Sequence, residues 1–328
     1  MFLAVKGVKI MGKTIAYQID QALENSFIKG GSKRSYRAEH GDTGDKIFYG
    51  PSKTDLHKTA KIFGRWLKEA HPDVRLVRDI QPQYLQEFVD SRVGQVSPAR
   101  LRTDASNVRK ICRCCDAKYH TKLSAAPVVV PAAPADTAVR TRSMDRQQAL
   151  DVIARLQAGR GDTWKAVTVS LCTGLRETEA CNLHAGHVHL DGGEYGYGYV
   201  NVTREDRPKH GRERTVHLIS AEDRDLLAQL IRGLQPGDVI AAHGGKVYRS
   251  GSVARAIGRV CPGEMAQNRL HAIRKGFAQK CYDLVRAETS GRGQAASRGA
   301  ALAFVNRQLG HGRSNDAVLN ARYVADQW

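Results

Sequence analysis

The stretch from Ala125 to Pro134 reads Ala-Ala-Pro-Val-Val-Val-Pro-Ala-Ala-Pro, and no regular helix can cross it. Its prolines remove backbone donors and clash with the preceding helical turn, while the small and β-branched neighbours favour an extended, semi-rigid connection. The chain on either side must therefore fold as separate bodies. The sequence predicts an N-terminal segment over 1–50, a helical domain over 51–122, the connection over 123–140 and a second domain over 141–328. A length of 328 residues suits two domains.

Upstream of the connection the pattern is helical. Ser52 precedes Asp55 at capping-box spacing, and Leu56, Ala60, Phe63 and Leu67 follow as an apolar stripe. Pro82 to Val93 predicts a shorter helix. Ser97 and Pro98 suit the N-cap and first position of another, which aligns Leu101, Ala105, Val108, Cys112, Cys115 and Tyr119. Those cysteines are expected in the core rather than on a metal, since no second Cys or His pair lies at zinc-site spacing. The rest of this helix carries Arg100, Arg102, Arg109, Lys110, Arg113 and Lys118 with only Asp104 and Asp116 as acids. A solvated face is the bland explanation. A one-signed face also suits a DNA backbone, where each neutralised phosphate releases counterions. Residues 29–50, rich in Gly, Ser and both charge signs, read either as a flexible connection or as a DNA-contacting arm.

Charge narrows the partners. Fifty-one Lys and Arg against 33 Asp and Glu leave +18, which favours a polyanion. A hydrophobic fraction of 41 % supports a real core. No apolar run reaches membrane-span length, and Met1 to Lys6 is too short for a signal-peptide core, with Met11 an alternative start. Seven cysteines, an odd number, suit a reduced, cytoplasmic setting.

The second domain mixes periodicities. Helices are predicted over 143–156 and 163–173, the latter stopped by Gly174. Tyr195 to Thr203 alternates as a strand, and Arg214 to Leu218 is its hairpin partner. Helices follow at 221–233, 251–260, 269–287 and 299–310. The fold class is α+β: an all-helical first domain and an α-rich second domain with a small antiparallel sheet.

Four segments of this domain carry chemistry. Thr173, Gly174, Leu175 and Arg176 precede Glu179 and Leu183, with Gly174 permitting a tight turn that sets Arg176 at a helix start. Lys209 lies on the hairpin turn. His271 and Arg274 share a helix face at i,i+3 spacing, within reach of one anion. Leu309, Gly310 and His311 are followed by Tyr323. Each alone has an ordinary structural explanation: a surface arginine, a solubilising lysine, a packed tyrosine. In this order they resemble the tyrosine recombinase (phage-type integrase) family, from about Ser143 onward. The first domain is similar to that family's core-binding domain in pattern only.

The resemblance implies a site-specific DNA recombinase or integrase acting in integration or excision of a mobile element. Tyr323 would attack the scissile phosphate, forming a 3′-phosphotyrosyl intermediate and freeing a 5′-hydroxyl. Arg176 and Arg274 would clamp the non-bridging oxygens, and Lys209 would protonate the leaving oxygen. His271 and His311 would add hydrogen bonds or proton transfer, with Glu179 behind Arg176. No cofactor is implied, because the bond energy is kept in the phosphotyrosine. No metal is assigned either: His184, His187 and His189 fall where the family has variable polar positions. The implied partners are double-stranded DNA with specific attachment sites, a homotetramer in the synaptic complex and, optionally, DNA-bending accessory proteins. No membrane is expected, and the implied location is the cytoplasm, at the nucleoid when DNA is bound. Two alternatives share part of this reading: a type IB topoisomerase-like enzyme, and a catalytically impaired DNA-binding relative.

The sequence departs from the family pattern in its spacing. Residues 288–298 look like an inserted polar loop between His271 and His311, and the interval from His311 to Tyr323 is long. Five residues follow Tyr323, so coupling between subunits is expected to differ from the family's or to use another segment.

Overall fold

Ser97 accepts a hydrogen bond from the Arg100 N–H, Pro98 occupies the first turn, and the helix they start runs unbroken to Tyr119. It ends at His120 in the left-handed region, φ 56°. The computed structural model describes residues 14–48, 50–130, 143–159, 161–248, 251–261, 264–311 and 323–324. The chain divides into two compact units, Met1–Thr137 and Ala138–Trp328.

The first unit holds α1 (Ile15–Ser26), α2 (Lys33–His40), α3 (Gly50–Ala70), α4 (Gln83–Ser91) and α5 (Pro98–Tyr119), with a 3₁₀ turn (Val77–Asp79) between α3 and α4. Ile19 and Leu23 of α1, Phe63 and Leu67 of α3, Leu85 and Phe88 of α4, and Val108 and Ile111 of α5 form one buried core. Residues 14–48 are thus no separate segment. α1 packs into the bundle, and a parallel bridge pairs Phe27 with Ile47. Only α2 has no buried residue. Helix α3 begins at Gly50, two residues before the anticipated cap at Ser52, because Pro51 is preorganised for a first turn. The connection is extended but docked through Val130: Leu123 and Val128 are buried, and the Gln86 amide bonds both the N–H and the C=O of Val129. Its remainder, 131–142, lies outside the described residues, as does Met11.

In the second unit, α6 (Arg146–Gln157) starts from a capping box of Asp145 and Gln148, later than the anticipated Ser143. α7 (Thr163–Thr173) is buried along its last eight residues and is followed by α8 (Glu177–Asn182). β1 (Val188–His189), β2 (Tyr199–Val202) and β3 (Arg214–His217) form an antiparallel sheet in that order, with Tyr199 opposite His217 and Val202 opposite Arg214. Then come α9 (Ala221–Ile231), the β4 (Ala242–His243) and β5 (Lys246–Val247) ribbon, α10 (Ser252–Val260), α11 (Glu264–Glu288) and α12 (Gln294–Leu309). The helix α11 is broken at Arg269, whose backbone adopts φ 45°, ψ −136°.

Two anticipated elements differ. The strand begins at Tyr199 rather than Tyr195, since Gly196 and Gly198 adopt φ 76° and 100°, turn values outside any strand. Residues 288–298 are not an inserted loop. A single 3₁₀ turn, Ser290–Arg292, separates α11 from α12, which already starts at Gln294.

Candidate active site

Gly174 ends α7 in the left-handed region, φ 61°, and a Cβ there would lie 2.4 Å from the Phe277 ring of α11. Both constraints select glycine. The turn buries Leu175 and delivers Arg176 to the N-cap of α8. Glu179 reaches back one helical turn: its carboxylate accepts from the Arg176 N–H at 2.9 Å and from the Arg176 guanidinium at 3.0 Å.

Glu179 is fully buried and shared. Arg214, on β3, donates through Nη2 and Nη1 to its two oxygens at 2.7 and 3.2 Å. Nε of Arg214 donates to the Gln308 C=O at 3.1 Å, tying the sheet to α12. Burial raises the Glu179 pKa, but the Arg214 hydrogen bond and charge, with Arg176, outweigh it and hold the carboxyl at about 2.

Arg274 is buried on α11. Its guanidinium donates to the C=O of Gly174 and, at 2.8 Å, to the C=O of Leu309, so it caps the ends of α7 and α12 together. Its Nε is buried with no partner among the described residues. Burial, then the nearby Arg176 charge, lower its pKa to about 10. It therefore stays cationic at neutral pH.

Tyr323 lies among these groups. Its ring centroid is 5.2 Å from that of His271 and 5.1 Å from that of His311, edge to face with both, and 5.9 Å from the Arg274 guanidinium carbon. His311 follows Gly310, whose φ of 64° ends α12 and whose α-carbon packs on the Arg214 side chain. Burial, then the charges of Arg274, Arg176, Arg214 and His271, push the His311 pKa down to about 4. Its imidazole is neutral at pH 7. Beside it, Leu175, Arg176, Glu177, Arg269, His271 and Arg274 line a pocket of about 280 Å³. Three guanidinium groups and an imidazole around one small space make an anion receptor.

Five anticipated residues, Arg176, His271, Arg274, His311 and Tyr323, thus converge, with Glu179 bracing the first. Lys209 sits exposed in a 3₁₀ turn (Lys209–Gly211) of the β2–β3 loop, away from the contacts described for this cluster. Three contributors had no sequence signal. Arg214 and Arg269 are single basic residues whose roles depend on tertiary contacts. Glu177 accepts from the N–H groups of Gly251, Val253 and Ala254, and so caps α10 beside the pocket.

The basic helix α5 does not present one face. Arg102, Arg109 and Arg113 are exposed at intervals of seven and four residues, a single stripe. Lys110 instead donates to the Gly44 C=O at 2.7 Å, Lys118 to the Gln21 C=O at 3.3 Å, and Arg100 pairs with buried Asp104 at 2.8 Å. Those three serve the bundle. Cys112, Cys114 and Cys115 are buried, and burial raises all three thiol pKa values.

No family model and no curated protein matches this sequence. Solved structures do. The XerH site-specific recombinase, in a post-cleavage complex with palindromic difH substrate, is 14 % identical with a TM-score of 0.60, covering 97 % of this chain and 95 % of its own. A lambda integrase dimer bound to a COC′ core site is 16 % identical with a TM-score of 0.55, covering 87 % and 75 %. A second lambda integrase structure, bound to DNA, is 15 % identical with a TM-score of 0.55, covering 96 % and 95 %. At such identities the likeness is one of fold: the chain has the tyrosine recombinase fold, α+β, with a helical first unit and an α-rich second unit holding a small antiparallel sheet.

Proposed function

We propose that this protein is a site-specific DNA recombinase of the integrase kind. In this reading it cuts and rejoins double-stranded DNA through a 3′-phosphotyrosyl intermediate on Tyr323, integrating or excising a mobile element. One observation carries the reading. A tyrosine ring stands within about 5–6 Å of two imidazoles and a buried guanidinium, and two of those groups, His271 and Arg274, also line a pocket with Arg176 and Arg269.

The chemistry follows from the donors. A guanidinium has five N–H groups, and Arg274 commits only two contacts to backbone carbonyls, so donors remain for a non-bridging phosphate oxygen. Arg176, held by Glu179, offers the second planar fork. Tyr323 Oη attacks phosphorus and passes its phenolic proton to one of the two imidazoles beside the ring, the bond to the 5′-oxygen breaks, and that oxygen takes a proton. Lys209 supplies the proton when its exposed loop closes on bound DNA. The other imidazole of the pair His271 and His311 hydrogen-bonds the phosphate. The reverse attack by a 5′-hydroxyl reseals the strand, so the reaction draws on no external energy source. The exposed stripe of Arg102, Arg109 and Arg113, with the exposed basic helix α2, binds the DNA backbone. Strand exchange takes place within a homotetramer on paired attachment sites, with accessory DNA-bending proteins where the site requires them. Among the described residues no helix is long and apolar enough to cross a membrane.

The test uses nicked duplexes spanning the ends of the genomic element that carries the gene. The protein should form a covalent adduct and exchange strands between two labelled duplexes. Relaxation of supercoils without exchange would assign a type IB topoisomerase-like activity instead. Arg176→Ala or Arg274→Ala should abolish the adduct while gel-shift binding persists; equal loss of both would reduce these arginines to affinity residues.

A further inference from the structure

His184 and His187 leave α8 three residues apart and flank a 3₁₀ turn (Ala185–His187) leading into β1. Both rings turn Nδ1 toward one carboxylate. Asp206 lies 3.2 Å from His184 Nδ1 and 2.9 Å from His187 Nδ1, and it is fully buried. It also accepts from the Thr203 N–H at 2.8 Å and the His184 N–H at 3.3 Å. An ionised carboxylate only accepts, so each imidazole presents Nδ1–H to it and keeps a lone pair on Nε2.

Glu205 lies beside both histidines. His187 Nε2 is 3.7 Å from Glu205 Oε2, and one ligating atom from each of His184, His187 and Glu205 lies within 4.8 Å of the other two. The two rings stand 5.3 Å apart at 61°, so they do not stack against each other. Both imidazole side chains are about one-fifth exposed, which leaves the site open to solvent. His189, the third histidine of the run, is turned away, with Nε2 3.3 Å from Asn201 Nδ2. The bland explanation is that the histidines merely satisfy Asp206. That accounts for Nδ1 of each ring and leaves the convergence of both with Glu205 unaccounted for.

The geometry points to a divalent transition-metal site of the zinc class, ligated by one imidazole nitrogen of His184, by Nε2 of His187 and by the Glu205 carboxylate, with solvent as the fourth ligand. Two imidazoles and a carboxylate suit Zn²⁺, and a buried carboxylate behind each imidazole is the arrangement that fixes the tautomer and strengthens the ligand. Glu205 and Asp206 belong to the 3₁₀ turn (Arg204–Asp206) that opens the β2–β3 loop. A bound ion would staple that loop, with Lys209 on it, to the segment between α8 and β1. The site stands whether or not the chain recombines DNA.

Metal-stripped full-length protein is titrated with Co²⁺, then with Zn²⁺. One Co²⁺ per chain is expected, with the intense visible absorption of a tetrahedral site, no thiolate charge-transfer band, and displacement by Zn²⁺. His187→Gln should abolish the spectrum, and Asp206→Asn should weaken binding about 10–100-fold. Glu205→Gln, at an exposed side chain, leaves the circular dichroism unchanged and should still weaken binding at least about tenfold. That variant decides alone if the other two do not fold. Absence of the tetrahedral spectrum, a thiolate band, or Co²⁺ affinity unchanged in Glu205→Gln overturns the assignment.

Discussion

Arg214 closes two arms of its guanidinium on the buried carboxylate of Glu179, at 2.7 and 3.2 Å, and that same carboxylate braces Arg176. A residue of the sheet therefore sets the position of an arginine at a helix start, through a third residue that is fully buried. Breaking such a buried pair by removing one partner costs up to about 3–5 kcal/mol, reduced here by what Arg176 still gives to the carboxylate. Arg214→Ala should lower stability by that order in urea unfolding, with Arg176 losing its brace. A loss below about 1 kcal/mol would mean that solvent replaces Arg214 at no cost.

The pH dependence of the pair has a definite sign. Glu179 titrates at about 2 in the folded chain against an ordinary 4.5, so the unfolded chain takes up a proton first as pH falls. Its contribution, of order 3 kcal/mol, is present above about pH 4.5 and is lost as pH falls towards 2. The stability gap between the native chain and Glu179→Gln should shrink across that window. A gap independent of pH between 5 and 2 contradicts the assignment.

His311 is depressed to about 4, so the unfolded chain protonates it first, near its ordinary 6.5. The stability it contributes is full above about 6.5 and is lost as pH falls towards 4. In a histidine NMR titration its resonance should move near pH 4 in the free protein and at higher pH with DNA bound, since a phosphate beside the ring offsets the arginine charges. Titration near 6.5 in the free protein would show that the arginines do not surround it.

Gly174 answers two demands at once, a φ of 61° and the Phe277 ring against its α-carbon. Gly174→Ala should cost about 2–4 kcal/mol from strain and overpacking combined, and move Arg176 with it. Pairing it with Phe277→Leu should recover part of the loss and leave the backbone strain. Full recovery in the double variant would assign the whole cost to packing.

On α5, charge and position separate. Replacing exposed Arg102, Arg109 and Arg113 by Ala should weaken DNA binding and flatten the log–log salt slope by about 3, with the melting temperature little changed. Lys110→Met should do the reverse, destabilising the bundle with little effect on the slope, because its ammonium is spent on the Gly44 carbonyl. Equal effects of the two changes on binding would return Lys110 to the DNA face.

The candidate site was legible because chemistry restricts residue type. Few side chains can serve beside a phosphate, so Arg176, His271, Arg274, His311 and Tyr323 stand out in order even with long gaps between them. Arg214 and Arg269 did not stand out, since one is defined by its distance to Glu179 and the other by a helix break. Local pattern failed where two periods competed. The alternation of Tyr195, Tyr197 and Tyr199 mimics a strand, but the intervening glycines take positive φ and the first two tyrosines belong to a turn. On α5 a tally of basic residues merged positions that a helical wheel separates, so Lys110 and Lys118 were counted on a face that they leave. The 1–50 boundary failed differently: Ile15, Ile19 and Leu23 are buried by α3 and α5, contacts that no local window contains.

In the proposed reaction Tyr323 Oη is the nucleophile. The most direct measurement of this is peptide mass spectrometry of the protein–DNA adduct trapped on a nicked duplex, with Tyr323→Phe in parallel. A nucleotide remnant is expected on the peptide containing Tyr323 and no adduct from the variant, which should still shift the same DNA in a gel. A remnant on any other residue, or an adduct formed by Tyr323→Phe, contradicts it.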